Sequence, residues 1–120
     1  MRITCWNVRG LNSGTKQSEC LAAIAKYRSN CFALLETRVK QVQSVNIIRN
    51  KFRKWQFIHN YSKSSNGRVW VFWNENEVGL KKLEEDSQGI LCEIVDIKTG
   101  CTGVVLFVYA KNDSRERQRF

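Results

Sequence analysis

The chain has 120 residues, 42% of them hydrophobic and 26% charged, a globular balance that leaves room for one domain and excludes a disordered or fibrous polymer. No apolar run approaches the roughly 20 residues of a membrane-spanning helix, and Met1-Arg2 leads straight into ITCW without the three-part pattern of a signal peptide. The net charge of +9 lies entirely in the first half: residues 1–60 carry eleven Lys/Arg and only two acids, Glu19 and Glu36, whereas residues 61–120 carry nine of each sign. A polyanion, nucleic acid first, is the partner such a surface favours, and an intracellular location, nuclear or cytoplasmic, follows as the expectation.

In chain order, Ile3–Val8 reads as a short buried strand and Arg9–Thr15 as a Gly/Asn/Ser loop. Cys20, Leu21, Ile24 and Tyr27 recur at helical spacing within Lys16–Arg28. Cys31–Leu35 is a continuous apolar run of strand length that stops at Glu36. Val42, Val45, Ile48 and Phe52 then mark a second amphipathic helix whose far end carries Arg49, Lys51, Arg53 and Lys54. Beyond it the period changes, and strands are predicted over Trp55–Asn60, Arg68–Trp73, Val78–Leu83, Ile90–Ile97 and Thr102–Tyr109, separated by turn residues. This β-α-β-α order followed by an antiparallel run is that of an α/β domain with a mixed sheet. The large apolar residues on both faces of RVWVFW place that strand between two layers. Five cysteines without a CxxC pair, together with a single histidine, lack zinc-site spacing, so reduced thiols are expected, with Cys5 and Cys31 inside apolar runs.

A strand–helix–strand crossover makes the first two strands parallel, so their C-terminal ends, carrying Asn7 and Glu36, share one sheet edge. Ligand sites of open α/β sheets form at such edges. A lone carboxylate in a positive field suits a hard divalent cation, and a neighbouring amide can orient it without adding charge. The alternative for Glu36 is a solvated carboxylate offsetting its cationic neighbours. Tyr109 and Asn112, in VYAKN, could meet a phosphate through a hydroxyl and an amide; the alternative is an edge tyrosine and a turn asparagine.

Taken in order, ITCWNVRGLN, FALLETRV, GRVWVFWN, QGILCEI and VYAKN resemble the N-terminal part of the endonuclease domain of plant LINE-type non-LTR retrotransposons. That domain belongs to the endonuclease/exonuclease/phosphatase superfamily, the DNase I-like fold. The resemblance implies a mixed-sheet half of an α/β sandwich, residues 1–120 being the N-terminal portion of one domain whose C-terminal portion is absent. It implies that Glu36 and Asn7 help hold Mg2+ (or Mn2+), that Tyr109 and Asn112 lie near the scissile phosphate, and that Arg115 contacts DNA backbone. Arg49, Lys51, Arg53 and Lys54 are further candidates for phosphate contact. The activity implied is metal-dependent hydrolysis of DNA phosphodiester bonds. Two departures bear on it. Lys111 stands where the family has a proline, and the later segments that carry the family's catalytic aspartates and histidine have no counterpart. The chain alone is therefore expected to bind the metal weakly and not to cleave. A non-catalytic nucleic-acid-binding or decayed retroelement fragment, and a phosphatase of the same superfamily, are the rival readings. Uncovered sheet surface would seek the missing half or a second copy.

Overall fold

β1 (Ile3–Asn7) and β2 (Cys31–Leu35) are joined through helix α1 (Gly14–Tyr27) and run parallel, Asn7 opposite Leu35. The computed structural model that shows this describes residues 1–65 and 68–109. Helix α1 starts where Ser13, in extended conformation, accepts the Lys16 N–H on its hydroxyl, and ends where Arg28 turns left-handed at φ 51°. It buries Gln17, Cys20 and Ile24, and the Gln17 amide is satisfied by donating to the Leu11 carbonyl at 3.0 Å. Helix α2 (Gln41–Lys51) follows β2, and then come β3 (Gln56–His59) and β4 (Val69–Trp73). These four strands form one mixed sheet in the order β1-β2-β4-β3, β4 being antiparallel to both of its neighbours. β5 (Val78–Glu85), β6 (Gly89–Asp96) and β7 (Thr102–Val108) form a separate antiparallel sheet in sequence order.

The division into two sheets follows from the residues of β2 and β4. Phe32, Leu34, Trp70 and Phe72 point to one side and pack with Cys20, Ile24, Ile48 and Phe52 beneath the two helices. Cys31, Ala33, Leu35, Val69 and Val71 point to the other and meet Val78, Ile90, Cys92, Ile94 and Phe107 of the second sheet. Strands that are apolar on both faces need two covering layers, and helices supply only one of them. The result is helices, mixed sheet and antiparallel sheet as three layers. The mixed sheet expected from the strand order is present over four strands, and the antiparallel run that follows forms a second sheet facing it.

Two local expectations also change. In α2 the buried positions are Ser44 and Ile48, whereas Val42 and Val45 are 77% and 51% exposed. Ser44 can turn inward because its hydroxyl donates to the Gln41 carbonyl at 2.6 Å, and the buried stripe keeps the expected Ile48 and Phe52 but runs through Ser44 in place of Val42 and Val45. Cys5 is exposed rather than core. It sits opposite Ala33 on the side facing the second sheet, but among the described residues β1 is an edge strand and the second sheet does not bury it. Cys20, Cys31 and Cys92 are buried, and all five thiols are free, as expected. Burial pushes the Cys31 thiol up to about 12, with its neighbours Cys92 and Cys5 adding to the effect.

Candidate metal and phosphate site

The C-terminal ends of β1 and β2 meet the N-terminal end of β4 at one edge, where Asn7, Leu35 and Val69 stand side by side. Past the strands the two chains stay tied. Val8 N–H donates to the Leu35 carbonyl (3.0 Å), Gly10 to Glu36 (2.8 Å) and Leu11 to Thr37 (2.8 Å), while Glu36 N–H donates to the Arg68 carbonyl. Holding this course puts Arg9 (φ 50°), Glu36 (φ 58°) and Arg38 (φ 56°) in the left-handed region. Each such residue costs on the order of 1–2 kcal/mol relative to ordinary backbone, so strain is concentrated where chemistry is expected. Surrounding bonds oppose it. The Asn12 amide donates to the Arg38 carbonyl (3.0 Å), and the buried Tyr61 hydroxyl donates to the Val39 carbonyl (2.7 Å) while accepting from the Trp70 indole (3.1 Å).

Glu36 is the centre of this edge. Its side chain is 17% exposed, and the Arg38 guanidinium donates to its Oε1 at 2.5 Å. Burial alone would raise its pKa, but hydrogen bonds from Arg38 and Asn7, then the charges of Arg38 and Arg9, outweigh it and hold the carboxyl below its ordinary value. Asn7 is fixed for this task because its Oδ1 accepts the Arg9 N–H at 3.1 Å, leaving the amide hydrogens for Glu36. The carboxylate is therefore ionised, oriented and set in a positive surround.

Beside it opens a cleft of about 390 Å³ lined by Glu36, Arg38, Arg68 and Tyr109. The Arg68 guanidinium lies over the Tyr109 ring, 5.4 Å from its centroid, a cation–π contact that sets both side chains on the cleft wall. Tyr109 is anchored from the second sheet: its N–H donates to the Gln88 carbonyl (2.6 Å) and its carbonyl accepts the Gln88 side-chain amide (3.3 Å). Asn60, fully buried, ties the two sheets at this end by donating to the Asp86 carbonyl and accepting the Val69 N–H, both at 3.1 Å. The cleft thus draws one wall from each sheet.

Asn7, Glu36 and Tyr109, separated by up to 102 positions in sequence, come together here. Asn112 and Arg115 lie outside the described residues. Lys51 and Lys54 stand exposed at the far end of α2. Arg49 and Arg53 line a different groove, between α2 and β3. Sequence reasoning passed over Arg38 and Arg68. The signal for the first was its place two residues beyond Glu36 in LLETR, and for the second its place at the start of RVWVFW, which runs antiparallel into the same edge. Among the described residues no three His, Cys, Asp or Glu side chains gather as a metal cluster, so any cation here would rest on Glu36 with amide, water and phosphate oxygens. No described helix is long and apolar enough to cross a membrane.

No protein-family model matches the sequence, and no curated protein matches it. Among solved structures the chain is similar to the human Nocturnin catalytic domain determined with a bound sulfate anion, with a TM-score of 0.57 and 15% identity. The match covers 94% of this chain and 51% of that one, so the chain spans about half the length of its structural neighbour. At this identity the likeness shows the fold: a DNase I-like α/β arrangement.

Proposed function

We propose that residues 1–120 carry the N-terminal half of a metal-dependent phosphodiester hydrolase site acting on DNA, as in the LINE-type endonucleases whose motifs the sequence resembles. The observation that carries this reading is the meeting of an ionised, amide-oriented Glu36 with Arg38, Arg68 and Tyr109 around one cleft. A divalent cation fits the donor chemistry, since Mg2+ or Mn2+ is commonly held by one or two carboxylates together with waters and substrate phosphate oxygens. Glu36 would hold it, with Asn7 keeping the carboxylate turned toward it. When bound, such a cation polarises the phosphoryl group and lowers the pKa of a bound water.

The chain's own residues do the rest. Arg38 and Arg68 present guanidiniums to phosphate oxygens, a geometry suited to bidentate contact. The Tyr109 hydroxyl donates to a non-bridging oxygen, and Asn112, three residues on, joins it in this reading. Arg38 also pairs with Glu36 and would compete with a cation for it, a competition that a phosphate engaging the guanidinium would relieve. General-base work, which contributes about 100- to 10,000-fold, is not assigned to any residue of this half. The cleavage test fuses a relative's downstream half to residues 1–120 and measures Mg2+-dependent nicking of supercoiled plasmid. Nicking that appears in the fusion and is lost in Glu36→Ala supports the proposal. A fusion that folds but leaves the plasmid intact counts against it.

A second reading, a nucleic-acid-binding chain without catalysis, is favoured by one observation: the Arg38–Glu36 pair already neutralises the carboxylate. It expects the same DNA affinity with Mg2+ and with EDTA. The hydrolase reading expects affinity to rise when the metal is added.

A further inference from the structure

Away from the Glu36 cleft, a second groove of about 390 Å³ runs between α2 and the edge strand β3. Its walls combine two guanidiniums, Arg49 and Arg53, with the rings of Trp55, Phe57 and His59. We propose that this groove binds single-stranded nucleic acid, phosphates meeting Arg49 and Arg53 and unpaired bases stacking on Trp55 and Phe57.

Four observations converge on that occupant. From Thr37 to Asn74 the chain carries eight Lys/Arg and not one Asp or Glu, so the groove lies in the most positive stretch of the molecule. Glu85, whose charge bears on His59, is itself paired with Lys82 at 2.7 Å. Phe57 is 42% exposed on its strand, an apolar ring held at the surface beside cations. Among the described residues β3 pairs only with β4, so the backbone groups along its other edge are left to meet phosphate or base edges.

The combination of ring faces and guanidiniums distinguishes single strands from duplex. Stacking on an aromatic side chain needs an exposed base face, which a duplex keeps inside its own stack. A protein strand adding to the β3 edge would use the same backbone groups, but a polyanion matches the charge and an ordinary peptide does not. The groove volume falls within the roughly 300–1,000 Å³ of small-ligand pockets, room for a nucleobase with its sugar. The inference does not depend on hydrolysis, because binding here needs no metal.

The test measures fluorescence anisotropy of labelled dT12 and rU12 with the 120-residue chain in EDTA at low salt. Comparison oligomers are the same-length duplex and an abasic strand with the same phosphates. Single strands are expected to bind at least fivefold tighter than the abasic strand and tighter than the duplex, since stacking contributes about 5- to 150-fold per base. Similar affinities for dT12 and rU12 assign the groove to bases and phosphates generally; a preference for one identifies the sugar as a determinant. Phe57→Ala should weaken dT12 by about tenfold or more, and Arg49→Ala with Arg53→Ala should flatten the salt dependence. Far-UV circular dichroism checks that both variants fold. Should Phe57→Ala misfold, the abasic comparison on the unaltered chain still decides. Equal binding of dT12 and the abasic strand, or a folded Phe57→Ala variant within twofold of the parent, overturns the proposal. Either result leaves the metal-dependent nicking test of the Glu36 site untouched.

Discussion

Glu36 shows how a single carboxyl acquires a distinct character from its neighbours. Its pKa is lowered in the folded chain, so its stabilising contribution is present above the unfolded carboxyl pKa and is lost as pH falls through the depressed folded value. Glu36→Gln should therefore flatten the rise of stability with pH over that acidic window and leave the neutral-to-alkaline slope alone, as read by thermal melts at stepped pH. In the proposed metal site Asn7 acts through Glu36. Asn7→Ala should weaken Mn2+ affinity by about 10- to 100-fold, the usual cost of losing an orienting partner, with Mn2+ binding followed by electron paramagnetic resonance. An affinity equal to that of the parent would show that the amide does not orient the carboxylate. That Glu36 and Asn7 meet at one sheet edge was legible from their places at the ends of two strands joined by a crossover. For Arg38 and Arg68 only nearness to that edge was legible, because nothing in LLETR or GRVW distinguishes a guanidinium aimed into a cleft from one in water. Only the left-handed turns at Glu36 and Arg38 and the ring of Tyr109 fix where they stand.

At the scale of elements, two contacts hold the strands that frame the site. Gly89 starts β6 where an added Cβ would stand 2.7 Å from the Phe107 backbone carbonyl oxygen of β7. Backbone cannot swing aside as a side chain would, so Gly89→Ala should cost about 1–3 kcal/mol and lower the melting temperature by several degrees. An unchanged melting temperature would mean that β6 and β7 move apart freely. Tyr61→Phe removes the hydroxyl shared by Trp70 and the Val39 carbonyl and leaves two buried polar groups without it. A loss of about 1–3 kcal/mol is expected in chemical denaturation. Most strand positions could be read from the alternation of apolar runs and turn residues, and the observed ends fall within two residues of those predicted. The partition of seven strands into two sheets could not, since pairing depends on which faces of β2 and β4 remain to be covered. Helix α2 misled for a related reason: a buried Ser44 bonded to its own helix looks polar in sequence but behaves as a filled core position.

At the scale of the molecule, coverage is uneven. The helices close one side of the mixed sheet, but the outer side of the second sheet shows Leu83, Val104, Leu106 and Val108 to solvent at 37–62% exposure. Ile3 and Cys5 on the edge strand β1 are also exposed, on the side that faces the second sheet. Apolar positions grouped on one sheet face beside an open strand edge favour association with further protein surface. Self-association that rises with concentration is expected in light scattering coupled to size exclusion, and Leu106→Lys should reduce it. A monomer at all concentrations would show that this face is tolerated bare.

The uneven coverage of β1 also sorts the thiols by access. Of the five cysteines only Cys5 and Cys101 are exposed, and Cys5 shares a strand face with Asn7 two residues away. A thiol-directed probe should modify the native chain at these two positions and reach the other three only after unfolding. Although the residue is exposed, partial desolvation of its sulfur against the sheet raises the Cys5 pKa, so its labelling should be slow at neutral pH and quicken as the solution becomes alkaline. With Cys101 replaced by serine, one fluorophore would stand beside the Asn7–Glu36 pair and report metal arrival without any substrate being turned over.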